Sequence, residues 1–186
     1  MSRIAVVVGS LRAESYNRRV AEAMTRLPAA QGHDFFFPEI GDLPLYNQDD
    51  DPNPPEAAVR LKREIRGADG VIFFTPEYNR GIPGALKNAI DHASRPYGDS
   101  AWAGKPAGVI GVSIGAAGTA MAQQHLRNVL AYLDMPVLAQ PEAFVQWSDG
   151  LVTDEGEVGD KSRAFLDKWM AAFLRLVETH AGAAAS

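Results

Sequence analysis

A chain of 186 residues, 46% hydrophobic and 22% charged, can bury one sizeable core but hardly two. Its net charge of -5 leaves no general basic face for nucleic acid or an acidic membrane, while remaining compatible with a local anion site. The absence of cysteine excludes disulfides, thiolate metal sites and a cysteine nucleophile, and nothing suggests an oxidising compartment.

Met1 leads directly into a strand-like run, so no signal peptide is read and a cytoplasmic location is expected. No apolar run approaches the ~20 residues that span a bilayer. Ile4–Val8 is continuously apolar, as a strand covered on both faces would be. Gly9-Ser10 ends it, and Ser10–Asn17 is rich in hydroxyl and amide groups. A helix is predicted from Ser15 to Asn17 onward, with Val20, Met24 and Leu27 on its apolar face and Pro28 closing it. Asp34–Phe37 reads as a second short strand. Gly41–Pro55 is a long loop of Pro, Asp and Asn, either functional or an interface element, or else a solvated acidic connector. A helix over Pro55–Ala68 buries Ala58, Leu61, Ile65 and Ala68.

Gly70–Thr75 is a third apolar strand, stopped by Pro76. Glu77, Tyr78, Asn79 and Arg80 follow it, and Pro83-Gly84 opens a helix to about Ser94. Leu86, Ala89, Ile90 and Ala93 form its apolar face, with Lys87, Asn88, Asp91 and His92 largely off it. A loop containing Trp102 leads to the fourth strand, Pro106–Val112, the small-residue loop Ser113–Thr119, and a helix to about Leu133. Leu126, Val129, Leu130 and Leu133 are its expected core face. Pro136–Ala139 and Ala143–Gln146 together supply a fifth strand interrupted by Pro141. Ser148–Gly159 is a polar turn region. The last helix, Lys161–Thr179, points Phe165, Trp169, Phe173 and Leu176 inward, and residues 181–186 are expected to fray. With no repeat or linker, residues 1–186 read as a single domain.

Five alternations of strand and helix, with nearly all-apolar strands, predict an α/β domain whose parallel sheet carries helices on both faces. Right-handed crossovers put the loops after strands one, three and four at one end of the sheet. In a strand order 2-1-3-4-5 the switch point lies between strands one and three, so the loops after strands one and three flank one crevice.

Each motif has a functional and a structural reading. Gly9–Asn17, with its hydroxyls, Arg12 and a following helix N-terminus, makes a sensible phosphate cradle, or an ordinary capped turn with a solvated Arg. It is neither Gly-x-Gly-x-x-Gly nor a nucleotide P-loop. Ser113–Gly118 lets a flat ring approach the backbone, or packs the helix start tightly on the sheet. Gly111-Val-Ser-Ile-Gly115 also matches the Gly-x-Ser-x-Gly elbow of serine hydrolases, with Ser113 as nucleophile, but no acid intervenes before His125 and His180 lies near the chain end. His33 and His92 read as surface residues, Asp49–Asp51 as a solvated run, and no cluster has metal-ligand spacing.

Taken together, Gly9-Ser-Leu-Arg with Ser15 and Asn17, Leu43-Pro-Leu-Tyr-Asn47, Pro76-Glu-Tyr-Asn79, Ile82–Asp91, and Gly115 with Gly118 resemble the NAD(P)H-dependent FMN reductase family, in its quinone and chromate reductase branch. The resemblance runs from Ile4 to about Phe144. It implies a flavodoxin-like three-layer fold with FMN at the carboxyl ends of the strands. It further implies that Ser10, Arg12, Ser15 and Asn17 hold the phosphate. Pro76, Glu77, Tyr78 and Asn79 would line the isoalloxazine ring, and Ser113, Gly115, Ala116 and Gly118 its other edge. Arg80 departs from the aromatic residue often found there, which leaves open whether it reaches a nicotinamide phosphate, the substrate or only water. The implied chemistry is ping-pong hydride transfer from NADPH or NADH through flavin N5 to a quinone, a related small acceptor or free flavin. No catalytic side chain is required. A flavodoxin-like electron carrier without NAD(P)H activity is the alternative. The family commonly forms homodimers or homotetramers, and Leu43–Asp51 and the helix bearing Arg127 are candidate interface pieces.

Overall fold

The structure, a computed structural model, describes residues 1–184. Five parallel strands form one sheet: β1 (Arg3–Val8), β2 (Asp34–Phe36), β3 (Gly70–Phe74), β4 (Ala107–Ser113) and β5 (Ala143–Gln146). Their order is β2-β1-β3-β4-β5, as expected. Side chains alternate along each strand between two cores. Ile4, Val6, Val8, Ile72, Phe74, Ile110 and Val112 face one, with α1 (Tyr16–Met24) and α5 (Asp160–Ala184) packed over them. Ala5, Val7, Val71, Phe73 and Val109 face the other, under α2 (Glu56–Arg66), α3 (Gly84–Ala93) and α4 (Ala120–Tyr132). Burial on both faces is why the strands read as unbroken apolar runs.

The predicted stripes of α2 and α3 are all buried, and Trp102 joins them, donating its indole N–H to the Ile90 carbonyl at 2.9 Å. Three expectations are corrected. The fifth strand is only Ala143–Gln146; from the earlier run, Val137 makes a single bridge to Ala107. The buried stripe of α5 is Leu166, Trp169, Met170, Phe173, Leu174 and Val177, while Phe165 is 43% exposed and Leu176 half-buried. Phe165, Trp169, Phe173 and Leu176 also have helical spacing, but the face packed on the core is rotated from theirs, keeping Trp169 and Phe173 and adding Leu166, Met170, Leu174 and Val177. The helix also continues past Thr179 to Ala184, where fraying was expected; Ala185 and Ser186 lie outside the described residues.

His92 is buried rather than superficial. Its Nε2 lies 2.9 Å from the Pro44 carbonyl and its ring packs edge-on to Tyr46. The long loop is thereby held down, not merely solvated. Asn88 accepts from the Tyr46 N–H and donates to Pro44, each at 2.8 Å, and Arg95 pairs with Asp51 at 2.6 Å.

Candidate active site

The Gly9 N–H donates to the Phe74 carbonyl at 2.8 Å and the chain then leaves the sheet. Ser15 caps α1: its hydroxyl accepts from the Arg18 N–H at 3.2 Å and keeps its own proton to donate. The N–H groups of Ser10, Leu11, Arg12, Tyr16 and Asn17 have no partner among the described residues. Free donors, a helix N-terminus and an exposed guanidinium on Arg12 suit a dianionic ligand. The Asn17 side chain is engaged elsewhere. Buried at 3% exposure, it donates to the Val112 carbonyl and accepts from the Val112 N–H, both at 2.9 Å. Only its backbone N–H is left for an anion.

After β3, Pro76 is buried and the chain makes a two-residue turn closed by reciprocal bonds between Tyr78 and Gly81 at 3.2 and 3.0 Å. Asn79 and Arg80, at φ 52° and 66°, are both left-handed, the geometry of a type I′ turn. The turn lifts Tyr78 to 52% exposure. Glu77 reaches away from it: one carboxylate oxygen accepts from Met121 and Ala122 N–H, each at 3.1 Å. Thr119, itself left-handed, offers α4 no side-chain cap, so Glu77 supplies one and ties the third loop to the fourth.

In the fourth loop Gly115 and Ala116 are exposed, and a Cβ at Gly115 would meet only Ser113 Oγ at 3.7 Å, leaving that rim open to a flat group. Gly118 serves packing instead: at φ +55° a Cβ there would meet the Phe144 backbone at 2.5 Å. Ser113 Oγ donates to the Gly115 carbonyl at 3.0 Å and has no histidine partner among the described residues, so the hydrolase elbow lacks its base. No group of three metal-ligating side chains occurs among the described residues.

Trp147 belongs to this edge and was missed. Its N–H donates to the Ser113 carbonyl at 2.8 Å, and its ring stacks on Tyr16 with centroids 4.2 Å apart. An aromatic residue just past the fifth strand was the available signal. Arg127, by contrast, turns inward: Nη1 donates to the Leu138 carbonyl at 2.8 Å and the side chain is 15% exposed.

The profile of the NADPH-dependent FMN reductase family matches residues 2–149. The chain belongs to this family. It is 51% identical over 176 residues to a quinone reductase of Pseudomonas putida, covering 94% of each chain. It is 49% identical over 169 residues to a 2-hydroxy-1,4-benzoquinone reductase of a Burkholderia species, covering 90% of this chain and 92% of the other. Among solved structures, the flavoenzyme NAD(P)H:(acceptor) oxidoreductase FerB of Paracoccus denitrificans superposes with a TM-score of 0.91 at 43% identity, covering 97% of this chain and 99% of the other. The reductase is thus an oxidoreductase with FMN as cofactor and NAD(P)H as electron donor. Its residues fit that cofactor: unpartnered N–H groups beside Arg12 for the phosphate, and an open small-residue rim at Gly115 and Ala116 for the ring.

Proposed function

We propose that the reductase passes electrons from NAD(P)H to quinones and related small acceptors, free flavin included, in a ping-pong sequence. The observation that carries this reading is the joining, at the carboxyl end of the sheet, of the capped α1 N-terminus with the Tyr78–Gly81 turn and the open Gly115–Ala116 rim. The names of the Pseudomonas putida and Burkholderia relatives support a quinone as acceptor. When bound, FMN supplies the two-electron chemistry. The chain's own task is positioning. Ser10, Arg12, Ser15 and the Asn17 N–H hold the phosphate. Pro76, Tyr78 and Asn79 line the ring, and Glu77 fixes their loop against α4. Ser113, Gly115 and Ala116 form the opposite rim, with Gly118 seating it on β5.

Arg80 meets the acceptor or the nicotinamide nucleotide. Its left-handed backbone disfavours a side chain, and a glycine would serve the turn better, so the guanidinium is retained for a contact. A second copy of the chain covers the crevice; Leu11, Tyr78 and Ile114, exposed by 57%, 52% and 72% on these loops, favour that arrangement. A cytoplasmic enzyme would meet all these substrates.

Anaerobic stopped-flow mixing tests the function. NADPH or NADH should bleach flavin absorbance without acceptor, and benzoquinone should restore it. Steady-state double-reciprocal plots should be parallel. Bleaching that requires a separate reductase would favour an electron carrier. Colourless protein that takes up no FMN would overturn both readings. Arg12→Ala should loosen FMN far more than Arg80→Ala.

A further inference from the structure

Beside the first loop stands a column of four side chains. The Arg12 guanidinium lies 5.0 Å from the Tyr16 ring centroid, Tyr16 stacks on Trp147 at 4.2 Å and 25°, and the Arg19 guanidinium lies 4.9 Å from Trp147. Tyr16 and Arg19 stand three residues apart on α1, so both reach the same side of the helix. Trp147 follows β5, the edge strand on the other side of the sheet, and is held at the same end as the first loop by its N–H bond to Ser113. The arrangement alternates charge and π-face: each cation meets an aromatic ring, and the two rings share the middle.

We propose that Trp147, acting through Tyr16, is a positioning residue for Arg12 and so sets the affinity of the phosphate site. This rests on the FMN reading above. Arg12 is exposed and has no ion-pair or hydrogen-bond partner among the described residues, so the Tyr16 face is what restrains it. A free Arg side chain loses rotamer freedom when it grips a ligand, and an arginine already held loses less. Arg19, on the outer ring, completes the column and keeps Trp147 stacked. Because Trp147 is also bonded to the end of β4, the column joins the phosphate loop to the loop that forms the opposite rim.

The comparison of FMN with riboflavin, which lacks only the phosphate, isolates this role. Equilibrium binding of both flavins by the full chain is followed by quenching of flavin fluorescence. Trp147→Ala should weaken FMN by roughly three- to fivefold, the scale of one lost cation–π contact, and leave riboflavin unchanged. Trp147→Phe, which keeps a ring for Tyr16, should restore FMN affinity. In the Arg12→Ala background, Trp147→Ala should cost nothing further, because its effect passes through Arg12. Equal loosening of both flavins would mean a general structural role and would overturn the proposal. So would unchanged FMN affinity in Trp147→Ala, or an undiminished effect without Arg12. Wild-type protein that binds neither flavin would overturn the FMN reading itself, an outcome separate from these.

Discussion

Replacing Asn17 by Ala should destabilise the reductase far more than a change at an ordinary helix N-terminus. The Thr75 N–H bonds the Ile110 carbonyl at 2.9 Å, and the next β4 groups on that side belong to Val112. There β3 has ended, and neither Thr75 nor Glu77 extends the backbone ladder to Val112. The Asn17 carboxamide takes the place of the missing strand, offering one donor and one acceptor at 2.9 Å each. Ala would remove two hydrogen bonds and strand two buried backbone groups, a loss of about 2–5 kcal/mol. For a chain of this size that is about 5–15 °C in Tm. Urea unfolding of the flavin-free chain, with m-values compared, measures it. Asn17→Asp should also be destabilising near neutral pH, because a carboxylate cannot donate to the Val112 carbonyl. A loss below about 0.5 kcal/mol in Asn17→Ala would refute the ladder argument. A variant of wild-type stability with weakened FMN binding would instead return the side chain to the phosphate.

Glu77→Ala should lower stability by about 1–2 kcal/mol, since it uncaps α4 at two N–H groups, and Glu77→Gln should recover part of this; calorimetry on the three proteins decides. Arg80→Gly should gain about 0.5–1 kcal/mol by relieving a left-handed Arg, while kcat/KM for NAD(P)H or quinone falls; unchanged stability would refute the turn argument. Hydrogen bonding to Lys62, supported by Arg66, holds the Asp99 carboxyl below its usual range. That stabilisation is present above the unfolded carboxyl's pKa and fades as pH falls through the lower folded value. Asp99→Asn should therefore lower Tm at pH 7, with the difference from wild type closing below about pH 4. A difference independent of pH would count against it.

The strands were legible because burial on both faces leaves no polar position to blur them, and right-handed crossovers put the loops after strands one, three and four at one end of the sheet; the strand order itself came with the family resemblance. The first-loop residues were legible for a similar reason: hydroxyls, an Arg and a helix start within nine residues are a local pattern. Side-chain duties were not. Asn17 and Glu77 look like ligand groups in the sequence, yet their bonds run to Val112 and to Met121 and Ala122, across 95, 44 and 45 residues. His92 looked superficial because nothing local shows that Pro44 and Tyr46 fold over it. Phe165 and Leu176 were expected inward because they share a helical face with Trp169 and Phe173; the rotation of α5 that buries Leu166, Met170 and Val177 instead is set by packing on the sheet.

Local chemistry in the sequence was enough to determine the α/β layering and the end of the sheet that carries the loops, and to single out the run from Pro76 to Arg80 as a candidate wall of the site. Which polar groups on those loops are free, and which are consumed in holding the loops together, depended on partners distant along the chain. Only the tertiary structure decided that, because a hydrogen bond across 95 residues leaves no mark on the spacing of its neighbours. The same holds for the Arg12–Tyr16–Trp147–Arg19 column, whose members come together only when β5 closes the sheet.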